Sequence, residues 1–344
     1  MKGRLLAIAS VVALVSRTAS ALAQTPAESI AVWTERLRTG SLPDRADAIG
    51  NLAAQDLQLL PTGTRDVIVA ELRRVNDATL NGVPIEGSDA LTSEAFGEYY
   101  LDLSTTAARF GTPEANRALI LASGISRGAQ RRAARLGDEA VPVLQQMIDR
   151  DFDSADALET MALAWFWADS AGGPLSDTSR RAIIRALLRA LRSPNANLRS
   201  GVPGALYLIG DPTFLPLAQA AVSLARATHD QELDAGYIRL RALPALESAF
   251  QRLTPLEIAQ RAIRALSLIC ADGTRSERPG ACQSLLNDLR TALEHLRAGR
   301  SGPAKNVLDA AAGRADTAFR NGVITEDEHA MIAGGVRQII AVLR

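Results

Sequence analysis

Few residues in this chain of 344 are of the kind that react, ligate metal or stack. Aromatic residues make up 4%, there are two Cys and three His, and the formal net charge is zero. Scarce aromatics and the lack of β-branched runs argue against a sheet protein. A neutral balance gives no global pull toward nucleic acid or an anionic membrane, so any partner must be sought in local features. No Gly-x-x-x-x-Gly-Lys-Ser/Thr loop is present to cradle phosphates. His229, His295 and His329 have no second His at helical spacing; each reads as a surface or helix-end residue, and no metal or cofactor is expected.

No segment has the roughly 20 apolar residues that a spanning helix needs. The apolar run at the start, Leu5 to Val15, is broken only by Ser10, follows Met-Lys-Gly-Arg and leads to Ala21-Leu22-Ala23 before Gln24. A basic start, a short apolar stretch and an Ala-x-Ala site have the layout of a secretory signal peptide, cleaved after Ala23, with an uncleaved anchor as the alternative. Cleavage removes Lys2, Arg4 and Arg17, so the formal charge of zero falls by three. The expected address is periplasmic or extracellular, and the mature chain is not expected to span a membrane.

What the chain does have is Ala, Leu and Arg, all strong helix formers. Apolar residues recur at three- and four-residue spacing: Val67, Leu72 and Val75; Ile183, Leu187, Leu188 and Leu191; Ile258, Ile263, Leu266 and Leu268. Each set is the stripe of an amphipathic helix, and the fold class is all-α. After Leu268 a polar loop between Cys270 and Cys282 is followed by helices at about 283–298, 303–320 and 325–343. The last opens on a capping box of Thr325 and Glu328, with Ile332, Val336, Ile339, Ile340 and Leu343 as its stripe.

One junction recurs. Ala107-Ala108-Arg109-Phe110-Gly111-Thr112-Pro113 is echoed by Ala133-Ala134-Arg135-Leu136-Gly137-Asp138-Glu139 and by Leu206-Tyr207-Leu208-Ile209-Gly210-Asp211-Pro212. In each, a helix ends at a Gly suited to a left-handed cap, and a Thr or Asp is placed to cap the next. Pro142 and Pro216 then fall in first turns, where a missing N–H costs little. With Leu198-Arg199 in the second helix, the unit Arg181–Ala221 resembles a HEAT-type repeat, and the resemblance covers residues 100–220. Gly201-Val202-Pro203-Gly204 departs from that pattern and is expected to kink its helix. The resemblance implies an alpha-alpha superhelix, a solenoid of stacked helix pairs, over residues 24–270, with residues 271–344 as a helical extension. A non-repetitive helical bundle is the alternative.

Motifs of chemistry are weak. Gly124-Ile125-Ser126-Arg127-Gly128 matches a hydrolase elbow, but that motif needs a strand-to-helix turn in an alternating fold, so a turn between helices is favoured. Asp149 to Asp156 approximates a calcium loop but has Ser154 where Gly is required and Thr160 where Glu is required. No catalytic residue is assigned. An enzyme or accessory factor acting on cell-wall glycans, with an unrecognised carboxylate pair, is the alternative function; the final 74 residues, with no Trp or Tyr and a single Phe, do not resemble the aromatic-rich lysozyme-like domain of lytic transglycosylases.

Two candidate faces stand out for an exported, non-enzymatic scaffold or adaptor that binds a protein or an anionic envelope component and no nucleic acid. Arg181, Arg185, Arg189 and Arg192 follow helical spacing and form a basic ridge, unless neighbouring acids such as Asp149 to Glu159 consume it. Trp165-Phe166-Trp167 cannot all be buried by one narrow face, since successive helical residues point about 100° apart; Trp165 and Trp167 are the candidate anchors.

The Cys pair, isolated in a chain expected to leave the cytoplasm, is read as a disulfide, ahead of a redox or metal pair. Its cross-link contributes about 3 kcal/mol by restricting the unfolded chain. Alkylation of the exported protein without reductant, followed by mass spectrometry, is expected to leave Cys270 and Cys282 unmodified; two alkylated thiols would refute the pairing.

Overall fold

The computed structural model describes residues 26–343 apart from 82, 125–126, 151–153, 232, 234 and 271–277. The signal segment and Ser126 therefore lie outside the described residues. Among the described residues the protein is helical, with no strand. The chain divides into two compact units, one ending at Ala118 and the other starting at Leu119.

The first unit holds α1 (Pro26–Thr39), α2 (Leu42–Ala53), α3 (Thr62–Leu80), α4 (Ser93–Ala108) and the start of α5 (Pro113–Leu121). Ser41 begins α2 with a capping box to Asp44, and Thr92 begins α4 by accepting from Ala95 N. Leu37, Ile49, Leu52, Ile68, Leu72 and Leu103 are fully buried. Inside this core lies a charge, Glu71, 7% exposed. Arg74 donates to both its oxygens at 2.8 Å, Arg45 Nη1 donates at 3.1 Å, and Tyr99 donates its hydroxyl. Burial alone would raise this carboxyl, but the hydrogen bonds from Arg74 and Tyr99 and the two guanidinium charges prevail and hold it below its ordinary 4.5. Burial and the adjacent carboxylate push the Tyr99 phenol well up, so it stays a donor. Beside it Tyr100 donates to Asn76, which donates in turn to Ala118 O at 2.8 Å.

The second unit continues from α5 with α6 (Arg127–Arg135), α7 (Ala140–Asp149), α8 (Ser154–Ala171), α9 (Asp177–Leu191), α10 (Ala196–Ile209) and α11 (Leu215–Thr228). Next comes α12, made of Ala235–Tyr237, a π turn over Ile238–Ala242 and Leu243–Gln251, and then α13 (Pro255–Cys270), α14 (Arg278–Arg297), α15 (Ser301–Arg320) and α16 (Glu326–Val342). Leu119-Ile120-Leu121 belongs to α5, so the segment leading to the elbow-like motif is helix and not a strand. One continuous core runs from Ile120 to Ile339, and helices on both sides of the Cys-bracketed loop contribute to it.

Gly111, Gly137 and Gly210 all have left-handed φ, at +65°, +52° and +60°, as the recurring junction requires. Thr112 then caps α5 through Ala115 N, and Asp211 caps the short turn at Pro212 through Thr213 N. Asp138 departs from the pattern: its carboxylate accepts from Ser176 N and Oγ, both at 2.7 Å, instead of capping α7. At Gly137 a Cβ would lie 1.7 Å from Pro174 O, so glycine is required there for space as well as for conformation.

At Gly201-Val202-Pro203-Gly204, where a kink is expected, α10 is one helix that runs through Pro203 from Ala196 to Ile209. The two glycines serve contact. A Cβ on Gly201 would lie 2.8 Å from the Ala155 backbone, and one on Gly204 would lie 2.0 Å from Glu159 Oε1. The pairs Ala155–Gly201 and Glu159–Gly204 ascend together, so α8 and α10 run side by side in the same direction. Arg127–Glu159 and Arg135–Trp167 place α6 parallel to α8 on its other flank.

At the end of the chain, α16 opens on the capping box of Thr325 and Glu328, and Ile332, Val336 and Ile339 are buried. Gly334 lets α16 approach Pro216 of α11, where a Cβ would come within 2.5 Å. Cys270 and Cys282 lie at disulfide distance, with Cα atoms 5.5 Å apart.

Two stability outcomes follow. Overpacking costs about 1–3 kcal/mol, while Ala gains up to about 1 kcal/mol over Gly in a helix. Gly201→Ala is therefore expected to lower Tm, and Gly313→Ala, on α15 with nothing within 4 Å, to raise it; the same sign for both would refute the packing account. Glu71 has a depressed folded pKa, so its stabilisation is full above 4.5 and drains as pH falls through the lower folded value. Urea titrations of Glu71→Gln should show a loss of about 2–4 kcal/mol at neutral pH, less than for a sealed pair because Arg74 is 38% exposed. The variant should also show a flatter acid limb than wild type.

Candidate binding surfaces

The ridge on α9 is largely engaged. Arg189 donates to Asp149 at 2.8 Å, so one acid of the Asp149–Glu159 stretch does meet it. Arg192 donates to Asp327 at 2.8 and 3.0 Å and to Glu326 at 2.8 Å, tying the end of α9 to the first turn of α16. Arg181 donates to Thr178 Oγ1 at 2.9 Å. Arg185, exposed, lines a groove of about 670 Å³ together with Arg189, Arg192, Glu326 and Asp327. The acids that line this groove compensate its basic wall, which leaves little uncompensated charge for an anion.

The three rings of α8 separate as helix geometry demands. Trp165 is 3% exposed, meets Phe214 edge-on at 5.4 Å and donates Nε1 to Asp169 at 2.9 Å. Arg180, 4% exposed, covers its ring at 4.6 Å and pairs with the same Asp169 at 2.7 Å. Trp167 is half-buried beneath Arg135, whose guanidinium lies 4.6 Å from the ring centroid. The ring left outside is Phe166, 43% exposed and edge-on to Trp167. Trp165 is thus a core residue, Trp167 a supporting one, and Phe166 the accessible contact.

Phe166 belongs to a wider surface. Tyr207 on α10, 43% exposed, meets Tyr237 on α12, 37% exposed, edge-on at 6.4 Å, and Leu240 in the π turn is 68% exposed. Arg127 spans from α6 to α8 and holds Glu159 at 2.7 Å; that hydrogen bond raises the guanidinium pKa, and Asp156 and the Tyr237 phenol lie near enough to act on it electrostatically. Arg131 and Arg135 on α6 are exposed, as are Arg239 and Arg241 in the π turn. These exposed apolar side chains stand on the neighbouring helices α8, α10 and α12 and are called the strip below; exposed arginines stand on α6 and in the π turn of α12. Tyr207 could have been found from sequence, because it lies off the buried stripe Leu198, Val202, Leu206 and Ile209. The π turn that exposes Leu240 leaves no such signal.

Elsewhere a polar cluster gathers around Asp316. His329 contacts Asp316 at 2.6 Å and stacks on Phe319, while Arg337 donates to the same carboxylate; the bond to His329 leads in holding Asp316 below its ordinary range. A cavity of about 30 Å³ among Phe250, Ile258, Leu266, Met331 and Val336 is large enough for about two waters and too small for an organic ligand. Among the described residues no group of three or more His, Cys, Asp or Glu is placed to hold a metal ion, and no helix is long and apolar enough to cross a membrane. Compared with known protein families, curated proteins and solved structures, the chain matches none.

Proposed function

We propose that the chain is an exported, non-enzymatic scaffold or adaptor with a HEAT-like repeat architecture, and that it binds a protein partner through the strip across α8, α10 and α12. The observation that carries this reading is the exposed Tyr207–Tyr237 pair, with Phe166 of α8 and Leu240 of α12 exposed as well. Exposed rings and Arg are among the residue types that dominate binding energies. The parallel arrangement of α6, α8 and α10 and the recurring left-handed glycines support the repeat reading. Export rests on the N-terminal segment alone.

A photo-reactive residue in place of Tyr207, introduced in cells that make the full chain, tests the surface. A discrete cross-linked protein is expected there and not from the same residue at Leu59, 53% exposed in the first unit. Equal products at both positions, or none at either, would refute the strip as the binding face. Release of soluble fragments from cell-wall glycan by the purified chain would refute the non-enzymatic reading.

A further inference from the structure

The charge around the strip specifies what can lie on it. On α6, Arg131 and Arg135 are exposed and make no ion pair among the described residues, and Arg239 and Arg241 are likewise exposed and without ion pairs in the π turn. Within the strip the carboxylate of Glu159, 17% exposed, is already held by Arg127. The helices that carry the exposed Phe166, Tyr207, Tyr237 and Leu240 thus have unpaired guanidinium groups on the neighbouring α6 and on α12. A basic partner would be repelled at both, and a purely apolar one would leave guanidinium groups facing low-dielectric surface with no counter-charge.

The strip also has a direction. It crosses α8, α10 and α12, so a ligand that follows it passes over several neighbouring helices. An extended segment, rising about 3.3 Å per residue, does so with few residues. An extended chain presents alternate side chains to one side, so carboxylates can meet the arginines while a ring or branched side chain enters between Tyr207 and Phe166.

We infer that this surface docks an extended protein segment rich in Asp and Glu that carries aromatic or branched aliphatic side chains. The inference rests on the binding reading above and adds the chemistry of the partner. Guanidinium forks pair with carboxylates bidentately, and the Tyr pair offers edges and faces to a ring of the ligand.

Fluorescence anisotropy with the full chain tests it. The probe is a fluorescein-labelled peptide of four Glu-Glu-Phe repeats, compared with Lys-Lys-Phe and Glu-Glu-Ser versions and with a sulfated oligosaccharide of matched charge. Saturable binding of the Glu-Glu-Phe peptide is expected, at least tenfold tighter than that of any comparison ligand, and weakening as salt screens the charges. Arg131→Glu with Arg241→Glu should weaken it tenfold or more, and Tyr207→Ala about tenfold, with thermal unfolding unchanged. Arg181→Glu, on the ridge of α9, should leave it unaltered. No binding of the Glu-Glu-Phe peptide, or equal binding of the Glu-Glu-Ser peptide or the oligosaccharide, overturns the inference. Cross-linking at Tyr207 that persists after such a failure would show that the surface is right and the partner chemistry wrong; loss of both would remove the binding reading itself.

Discussion

The second unit depends on how closely α8 and α10 approach each other. Two helices meet at 8–10 Å when ordinary side chains separate them, and they come nearer only where side chains are missing. Gly201 and Gly204 supply that absence: one faces the Ala155 backbone and the other lies under the Glu159 carboxylate. The consequence reaches the surface. Because Glu159 rests over Gly204, Arg127 can span from α6 to it, and Tyr207, one turn beyond Gly204, is carried into the open beside Tyr237.

Charge is placed with similar economy in both units. Glu71 is surrounded by Arg45, Arg74 and Tyr99, and Arg180 is enclosed by Asp169 and the Trp165 ring. Buried ions persist only with such company, since removal of one partner leaves the other desolvated. On α9 the same logic binds Arg189 and Arg192 to acids of α7 and α16. A basic ridge read along one helix is therefore mostly an internal fastening, whereas Arg131 and Arg135 of α6 and Arg239 and Arg241 of the π turn are exposed and make no ion pair among the described residues.

That contrast is why the aromatic strip carries the binding argument and the ridge does not. A partner gains most where rings are already exposed and charges uncompensated, because little must be broken before contact is made. At the ridge a ligand would first have to displace Asp149, Glu326 or Asp327.

By itself the sequence determined whatever depends on neighbours within a few residues. The periodicity of apolar residues specified helices, Thr325 and Glu328 specified a cap, and Gly111, Gly137 and Gly210 specified left-handed ends, all of which are local matters of backbone sterics and hydrogen bonding. Arg180 falls on the stripe of Ile183, Ile184 and Leu187 and is buried with it, a placement that the sequence reading did not draw. Only the tertiary structure decided which long-range pairs form: Arg192 with Asp327, Asp138 with Ser176 in place of its own helix, and Gly201 against Ala155. Those outcomes turn on which helices become neighbours, and a side chain's identity does not say what will stand opposite it once the chain has folded.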